Sequence, residues 1–94
     1  MNTGSPGITH DTAAHQFATT IDGKQAVLDY RQDGNLMVIT HTGVPPAIGG
    51  RGIAAQLVKA AVEYARSQQW KVRPDCEYAE AYLRKHREYS DLLG

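Results

Sequence analysis

Three glycines stand close together near the middle of the chain, at Gly49, Gly50 and Gly52. A pyrophosphate binds where several backbone N–H groups converge, and residues without side chains leave room for it to approach. A helix that begins directly after such a loop adds a dipole that favours an anion. Arg51 lies within the cluster and would add a charge-assisted hydrogen bond to a phosphate oxygen. Residues 49–54 are therefore predicted to form a phosphate-binding loop.

Two common phosphate-binding loops do not fit this segment. The nucleotide P-loop ends in Gly-Lys-Ser/Thr, whereas Gly52 is followed by Ile53. The dinucleotide pattern G-x-G-x-x-G/A is matched by Gly50, Gly52 and Ala55. That pattern belongs to folds with several βαβ units, but antiparallel strands are predicted before this loop and only about forty residues follow it. A dinucleotide-binding domain is therefore excluded.

The segment before the loop has the alternation of an antiparallel meander. Asp22-Gly23 is a strong signal for a two-residue hairpin, and Asp33-Gly34 makes the next turn. The third run is rich in β-branched residues, and a proline pair ends it. The predicted strands cover residues 15–21, 24–31 and 36–44.

After the loop, apolar residues recur at steps of three and four, which predicts an amphipathic helix over residues 52–69. A short strand is predicted over residues 70–73, and Asp75 is predicted to cap a second helix over residues 76–86. The tail from His86 onward is predicted to pack back. A helix between the third and fourth strands permits them to pair in parallel. The order predicts an α+β fold with a mixed sheet, an antiparallel meander plus one parallel strand, and two packed helices.

The length and the charge balance limit the possible functions. Basic and acidic residues number 10 each among 94 residues, so the formal net charge is zero. This balance does not indicate a nucleic-acid binder, and a phosphate site must rely on local dipoles and a few basic side chains. The length predicts one domain, residues 10–94, preceded by a flexible N-terminal arm, residues 1–9.

The cysteine and histidine content indicates an intracellular protein without a metal. Cys76 is the only cysteine and cannot form an internal disulfide. Because no stretch is long and apolar enough to span a membrane, a cytoplasmic location is expected. His10, His15 and His86 have no metal-ligand spacing with Cys76, so no metal site is predicted.

The glycine loop resembles the acyl-CoA loop of the GNAT family of N-acetyltransferases, whose consensus is Q/R-x-x-G-x-G/A. Gly52 and Ala54 match its last two defined positions, and Gly49 stands where Gln or Arg is usual. Over about residues 10–93 the chain resembles the minimal, single-domain group of that family. In that group a glutamate commonly follows His-Thr, where this chain has Gly43. Besides the helix opening Gly52-Ile53-Ala54, the residues that carry the wider resemblance are His41, Thr42, Val44, Pro45, Pro74, Cys76, Tyr82, His86, Glu88, Tyr89, Asp91 and Leu92.

The resemblance implies a GNAT-like mixed sheet and a site for acetyl-CoA. Acetyl-CoA would lie between two parallel strands that splay apart, here residues 36–44 and 70–73. Backbone N–H groups near Val44 would hold the thioester carbonyl. The residues implied to hold the pyrophosphate are Gly49, Gly50, Arg51, Gly52, Ile53 and Ala54.

Acetyl transfer from a thioester to an amine needs a base, an oxyanion donor and an acid for the leaving thiolate. Cys76 lies at the predicted start of the second helix, where the dipole lowers a thiol pKa. It would protonate the thiolate or carry the acetyl group, and its alternative role is a small buried filler. Asp75 beside it would oppose ionisation of the thiol.

His41 and Tyr82 are the other candidate catalytic residues. His41 suits a general base, and it alternates with Met37 and Ile39 on what is predicted to be one face of the third strand. Many GNAT enzymes use a tyrosine on the second helix as the acid. Position favours Tyr82 over Tyr78, and the alternative for either is an aromatic core residue.

Three functions therefore stay open at the level of sequence. The first is an acetyl-CoA-dependent N-acetyltransferase acting on a small amine or an exposed protein lysine. The second is a non-catalytic acyl-CoA-binding module, and the third is a protein-interaction domain without a ligand. A monomer and a homodimer are both compatible with a small domain that has an open sheet edge.

Overall fold

A computed structural model describes residues 7–93 and shows one five-stranded sheet in the order β1-β2-β3-β4-β5. Neighbouring strands are antiparallel except for the last pair, β4 and β5, which are parallel. The mixed sheet with one parallel pair, predicted from the sequence, is confirmed. The strands are β1 Thr9–Asp11, β2 Gln16–Ile21, β3 Lys24–Asp33, β4 Leu36–Gly43 and β5 Lys71–Pro74.

Two α-helices and two short 3-10 helices complete the described fold. A 3-10 turn precedes α1, and another follows α2. Both α-helices fall within their predicted ranges. The helical segments are 3-10 Pro46–Ile48, α1 Ile53–Ser67, α2 Glu77–Lys85 and 3-10 Arg87–Leu92.

The N-terminus differs in part from the prediction. Residues 1–6 of the expected arm lie outside the described residues. Thr9, its last residue, begins β1, a strand the sequence analysis did not predict. This strand has only three residues, too few for a periodic pattern to be recognised.

Both α-helices pack on one face of the sheet. The apolar stripe of α1 is buried as its spacing predicts and includes Leu57, Val58 and Val62, all with no exposed area. Burial of such a side chain contributes about 1.5–3 kcal/mol. Ala61 and Ala65 are also fully buried, so α1 can lie close to the strands. The strand residues of the same core cluster are Phe17, Ala26, Leu28, Tyr30, Met37, Ile39 and Val72.

The parallel pair β4–β5 is short, and the place where it ends determines where the two strands separate. Residues Leu36 to Ile39 pair with Lys71 to Pro74, and one further bond joins the Asp75 N–H to the Ile39 carbonyl at 3.0 Å. β4 continues to Gly43 while the chain after β5 turns into α2, so the two strands part beyond Ile39.

A β-bulge reverses the alternation of β4. Asp29 pairs with His41 and Tyr30 pairs with Ile39, which leaves Thr40 as the extra residue. His41 consequently shares a face with Asp29, whereas Ile39 faces the helices with Tyr30. The prediction that His41 shares a face with Met37 and Ile39 is therefore wrong, because an inserted residue shifts every later side chain to the other face.

The C-terminal tail packs back onto the domain as predicted. Tyr89 and Leu92 are buried, and Leu93 forms a parallel bridge with Val72. The Tyr89 hydroxyl donates a hydrogen bond of 2.6 Å to Glu63 on α1. Burial, together with the Glu63 carboxylate, raises the pKa of the Tyr89 phenol. The last strand and the first helix are thus both tied to the tail.

The edge strand β1 is held by an aromatic cluster around His10. The imidazole stacks on Phe17 with ring centroids 4.0 Å apart, and its Nε2 lies 2.6 Å from the Tyr30 hydroxyl. The Tyr64 ring meets it edge-on. Burial lowers the pKa of His10 below its ordinary value, so the folded state favours the neutral ring.

We therefore predict that β1 loosens in mild acid. A lowered folded-state pKa stabilises the fold above the unfolded-state pKa of about 6.5, and this stability is lost as the pH falls below it. Hydrogen-exchange protection of the β1 amides should drop between about pH 7.5 and pH 5.5 relative to that of the β3 amides. His10→Gln, which cannot titrate, should abolish this relative drop. An equal pH dependence in that variant would refute the role of His10.

Candidate functional site

The predicted loop residues come together around one cavity at the end of β4. The cavity has a volume of about 270 Å³ and lies between the segment after β4, the start of α1 and α2. Arg51 is not part of its wall, and Tyr78, which was not favoured from the sequence, is. The lining residues are Val44, Gly49, Gly50, Gly52, Ile53, Ala54 and Tyr78.

The loop has the backbone that an anion cradle needs. Gly50 and Gly52 have φ angles of 79° and 72°, in the left-handed region where residues with a Cβ are strained. A Cβ placed on either glycine would meet no described atom within 4 Å, so the space above the loop is open. Within residues 7–93, no side chain caps α1, and its first turn holds no acidic residue. The first N–H groups of α1 are therefore available to an anion.

Arg51 points away from the cavity toward the β2–β3 turn. Its Nη1 donates to the Asp22 carboxylate at 2.9 Å, with both side chains at least half exposed. An exposed pair of this kind contributes about 0–1 kcal/mol. Arg51 could therefore turn toward a phosphate with little loss of stability.

Cys76 lies beside Thr42 at the place where β4 and β5 separate. Its Sγ is 3.2 Å from the Thr42 Oγ1 and is half-buried. Burial by itself would raise the pKa of the thiol, but the Thr42 hydroxyl and the backbone amides of Ala79 and Tyr78 outweigh it, and the pKa is lowered. Those amides lie near the sulfur without forming a full capping hydrogen bond.

The prediction that Asp75 caps α2 is wrong, because Cys76 occupies the N-cap position. Asp75 instead accepts two hydrogen bonds of 3.0 Å from the Arg73 guanidinium. This bidentate pair occupies both carboxylate oxygens of Asp75. The pairing also neutralises the carboxylate next to Cys76 and lowers the pKa of Asp75.

His41 and Tyr82 are not in the cavity with the glycine loop. His41 is exposed on the sheet face that the helices leave open. Tyr82 is 9% exposed, belongs to the core cluster and stacks on His86 at 3.9 Å. Burial raises the pKa of Tyr82. Tyr78, one turn earlier and 41% exposed, is the tyrosine that faces the loop cavity.

A second cavity continues from the first along the groove between α1 and α2. Its volume is about 240 Å³, and Tyr78 lines both cavities. Lys85 supplies a cationic side chain and His86 an Nδ1 that is buried without a hydrogen-bond partner in the described part of the chain. The lining residues are Ala55, Tyr78, Ala81, Tyr82, Lys85 and His86.

A third cavity of about 440 Å³ lies apart from this site, at the outer edge of β5. Leu36, Val72, Pro74, Leu83 and Leu93 form most of its wall, which is largely apolar. It shares no lining residue with the other two cavities and holds no part of the glycine loop. Its size alone does not make it a coenzyme site.

The described chain offers neither a metal-binding cluster nor a membrane-spanning helix. Residues 7–93 contain no group of three or more His, Cys, Asp or Glu side chains placed to hold a metal ion. In the same range, neither helix has the length and apolarity required to cross a bilayer.

Comparison with known proteins agrees with this geometry. A family model described as GCN5-related N-acetyl-transferase matches residues 16–92. Protein NATD1 of Mus musculus is 35% identical over 82 residues, covering 84% of this chain and 74% of that protein. Protein NATD1 of Danio rerio is 33% identical over 91 residues, covering 92% and 83%. A GCN5-like protein of Staphylococcus aureus, solved by NMR in solution, superposes with a TM-score of 0.75 at 32% identity, covering 96% and 89%.

The fold and the loop together define an α+β domain in which a glycine loop at the start of a helix lies next to a parted parallel strand pair. The chain belongs to the GCN5-related N-acetyltransferase family, here called GNAT. Membership supports an activity of the acetyltransferase type, as the sequence resemblance implied.

The Thr42–Cys76 contact generates a prediction about thiol reactivity. Thr42→Val removes the hydroxyl and should raise the pKa of Cys76, because the hydrogen bond to Thr42 helps to lower it. The pH at which iodoacetamide alkylation reaches half its maximal rate should therefore rise. Thr40→Val, two residues away, should leave it unchanged, since the Thr40 hydroxyl bonds to the Asp29 carbonyl instead. Equal shifts in both variants would show that the contact has no effect on the thiol.

Proposed function

We propose that this protein is an acetyl-CoA-dependent N-acetyltransferase whose coenzyme binds across the end of β4. The observation that carries the proposal is the parting of β4 and β5 beyond Ile39, directly beside the glycine loop. A parallel pair that opens leaves backbone groups of β4 without strand partners on the β5 side. Those groups, at Val44 and just before it, would bind the pantetheine arm and the thioester carbonyl.

The loop cavity fits the pyrophosphate of coenzyme A. Gly50 and Gly52 hold the loop in a left-handed backbone, and the uncapped start of α1 supplies N–H donors. Arg51 would leave Asp22 to reach a phosphate oxygen. The adjoining cavity extends the site along α2, where Lys85 would meet the charge at the adenosine end of the ligand.

The reaction would divide its acid and base between the two faces of the sheet. Bound acetyl-CoA supplies an acetyl group activated as a thioester. On the open face, His41 would take a proton from the attacking amine while the new C–N bond forms. The N–H near Val44 would stabilise the negative charge that develops on the carbonyl oxygen.

The leaving sulfur would be protonated from the helix side. As the C–S bond breaks, Cys76 would donate its proton to the departing thiolate and recover one from solvent. A thiol with a lowered pKa is a competent acid for another thiolate. Tyr78, which lines the loop cavity, is the alternative acid to Cys76. Tyr82 would have to act as the acid from within the core. The net change is amine plus acetyl-CoA to amide plus free coenzyme A.

The open sheet face is where the acceptor would arrive. Asp29, Arg31, His41 and Arg73 lie on that face, and among the described elements no helix covers it. Such a shallow, charged surface suits an exposed lysine of a protein or a small polar amine. The protein itself would act as a monomer or a homodimer.

Binding of the coenzyme can be tested with a matched pair of glycine variants. Acetyl-CoA at about 100 times its Kd should add about 2.7 kcal/mol to the stability of the wild type. Gly52→Asp should lose this stabilisation, because a carboxylate would enter the phosphate site. Gly34→Asp imposes a comparable left-handed strain in the distant β3–β4 turn, at a φ of 61°, and should keep it. Wild-type protein that is folded but not stabilised would rule out the coenzyme.

A non-catalytic acyl-CoA-binding module is the second candidate function. The observation that favours it is the same uncovered face, which offers few walls to hold an acceptor in place. The two functions differ in turnover and not in binding.

Turnover separates these two functions. With acetyl-CoA and a panel of amines and lysine peptides, kcat should fall by roughly 10²–10⁴ in His41→Ala and should also fall in Cys76→Ala. The Kd for acetyl-CoA should change little in either variant, since neither residue lines the loop cavity. Saturable binding by the wild type without turnover of any amine would favour the binding module.

A further inference from the structure

His41 is presented on the open face by the β-bulge at Thr40. The ring lies next to Gly43, two residues further along the same face of β4. A Cβ placed on Gly43 would be 2.9 Å from the His41 Nε2 and 3.7 Å from its Cε1. A separation below 3.0 Å is not tolerated between such atoms, so the ring occupies space that any side chain at position 43 would need.

The backbone does not require a glycine at position 43. Gly43 lies at the end of β4 and is not among the residues with a positive φ angle. The other atom near the absent Cβ is the Val27 Cγ2, at an ordinary contact distance of 3.7 Å. Of the described surroundings, the His41 ring is thus what a methyl group would displace.

The ring lies in the space that a Cβ at position 43 would fill. His41 is exposed, and within residues 7–93 its side chain forms no hydrogen bond that would fix it. Its cross-strand neighbour Asp29 accepts a hydrogen bond from Gln16 at 2.9 Å and does not hold the ring. The lack of a Cβ at Gly43 therefore allows the imidazole to lie along the strand toward Val44.

We propose that Gly43 is a positioning residue that places the His41 imidazole over the end of β4 for proton transfer. The inference rests on the proposed function, in which the acceptor amine arrives on this face next to Val44. With the ring over Gly43, Nε2 lies at the strand end where that amine would lose its proton. A side chain at position 43 would turn the ring away from this place.

The test is Gly43→Ala, followed first without any substrate. The imidazole ¹H and ¹⁵N chemical shifts of His41 should change, because the methyl group displaces the ring. The melting temperature should stay at the wild-type value, because only the end of an exposed side chain has to move. The Kd for acetyl-CoA should stay unchanged, because Gly43 does not line the loop cavity.

The kinetic part of the test uses His41→Ala as the background. Gly43→Ala should lower kcat by about tenfold, part of the effect of a general base, and leave the KM for acetyl-CoA unchanged. In the His41→Ala background the same substitution should have no further effect, since its effect passes through the ring.

Several results would overturn the proposal. His41 signals that do not change in Gly43→Ala would show that the ring is not placed by this glycine, whatever the activity. A loss of kcat that persists in the His41→Ala background would show that Gly43 acts by another route. Changed signals with full activity would also overturn it. If His41→Ala is then fully active as well, the result rejects His41 as the general base and does not bear on whether Gly43 places the ring.

Discussion

The site depends on where the parallel ladder between β4 and β5 stops. Hydrogen bonds join the two strands up to the Ile39 carbonyl, which accepts from the Asp75 N–H. Beyond this point β4 keeps its antiparallel partner β3 while the chain after β5 turns into α2. The backbone of β4 is thereby left open on one side only. The glycine loop, Cys76 and Tyr78 are all placed around this opening.

The two sheet faces beside this opening carry different chemical groups, because the helices cover only one of them. The helix face carries the glycine loop, the half-buried Cys76 thiol and the aromatic residues of α2. The other face carries charged side chains and His41. A bulge of one residue moves His41 from the first face to the second.

Electrostatics at the site are local, as expected for a chain with no net charge. The proposed anion site would rely on backbone amides and a helix terminus and not on a basic surface. The charged side chains nearby are mostly paired: Arg51 with Asp22, and Arg73 with Asp75. The second pair offsets the charge of the carboxylate next to Cys76, and in the proposed function Arg51 would leave Asp22 for a phosphate oxygen. Binding of an anion would therefore begin by exchanging partners at the surface.

Apart from the three-residue strand β1, the sequence by itself determined the order of strands and α-helices, the parallel last pair, the long apolar stripe of α1 and the glycine loop. The stripe and the loop rest on local signals, namely the helical spacing of Leu57, Val58 and Val62 and glycines at a strand-to-helix junction. The resemblance to the GNAT family rested on the same loop together with residues spread along the chain.

Only the tertiary structure decided which side chains meet. Asp75 was predicted to cap α2, but Cys76 occupies that position. The Asp75 carboxylate pairs instead with the Arg73 guanidinium, which β5 places beside it. Tyr78 rather than Tyr82 faces the loop because the rotation of α2 is set by its packing on α1 and the sheet. His41 lies on the opposite sheet face from the predicted one because of the β-bulge. A bulge depends on how two strands pair and cannot be recognised from the alternation of residues within one strand. These contacts join residues distant in sequence, so their energies are absent from any local pattern.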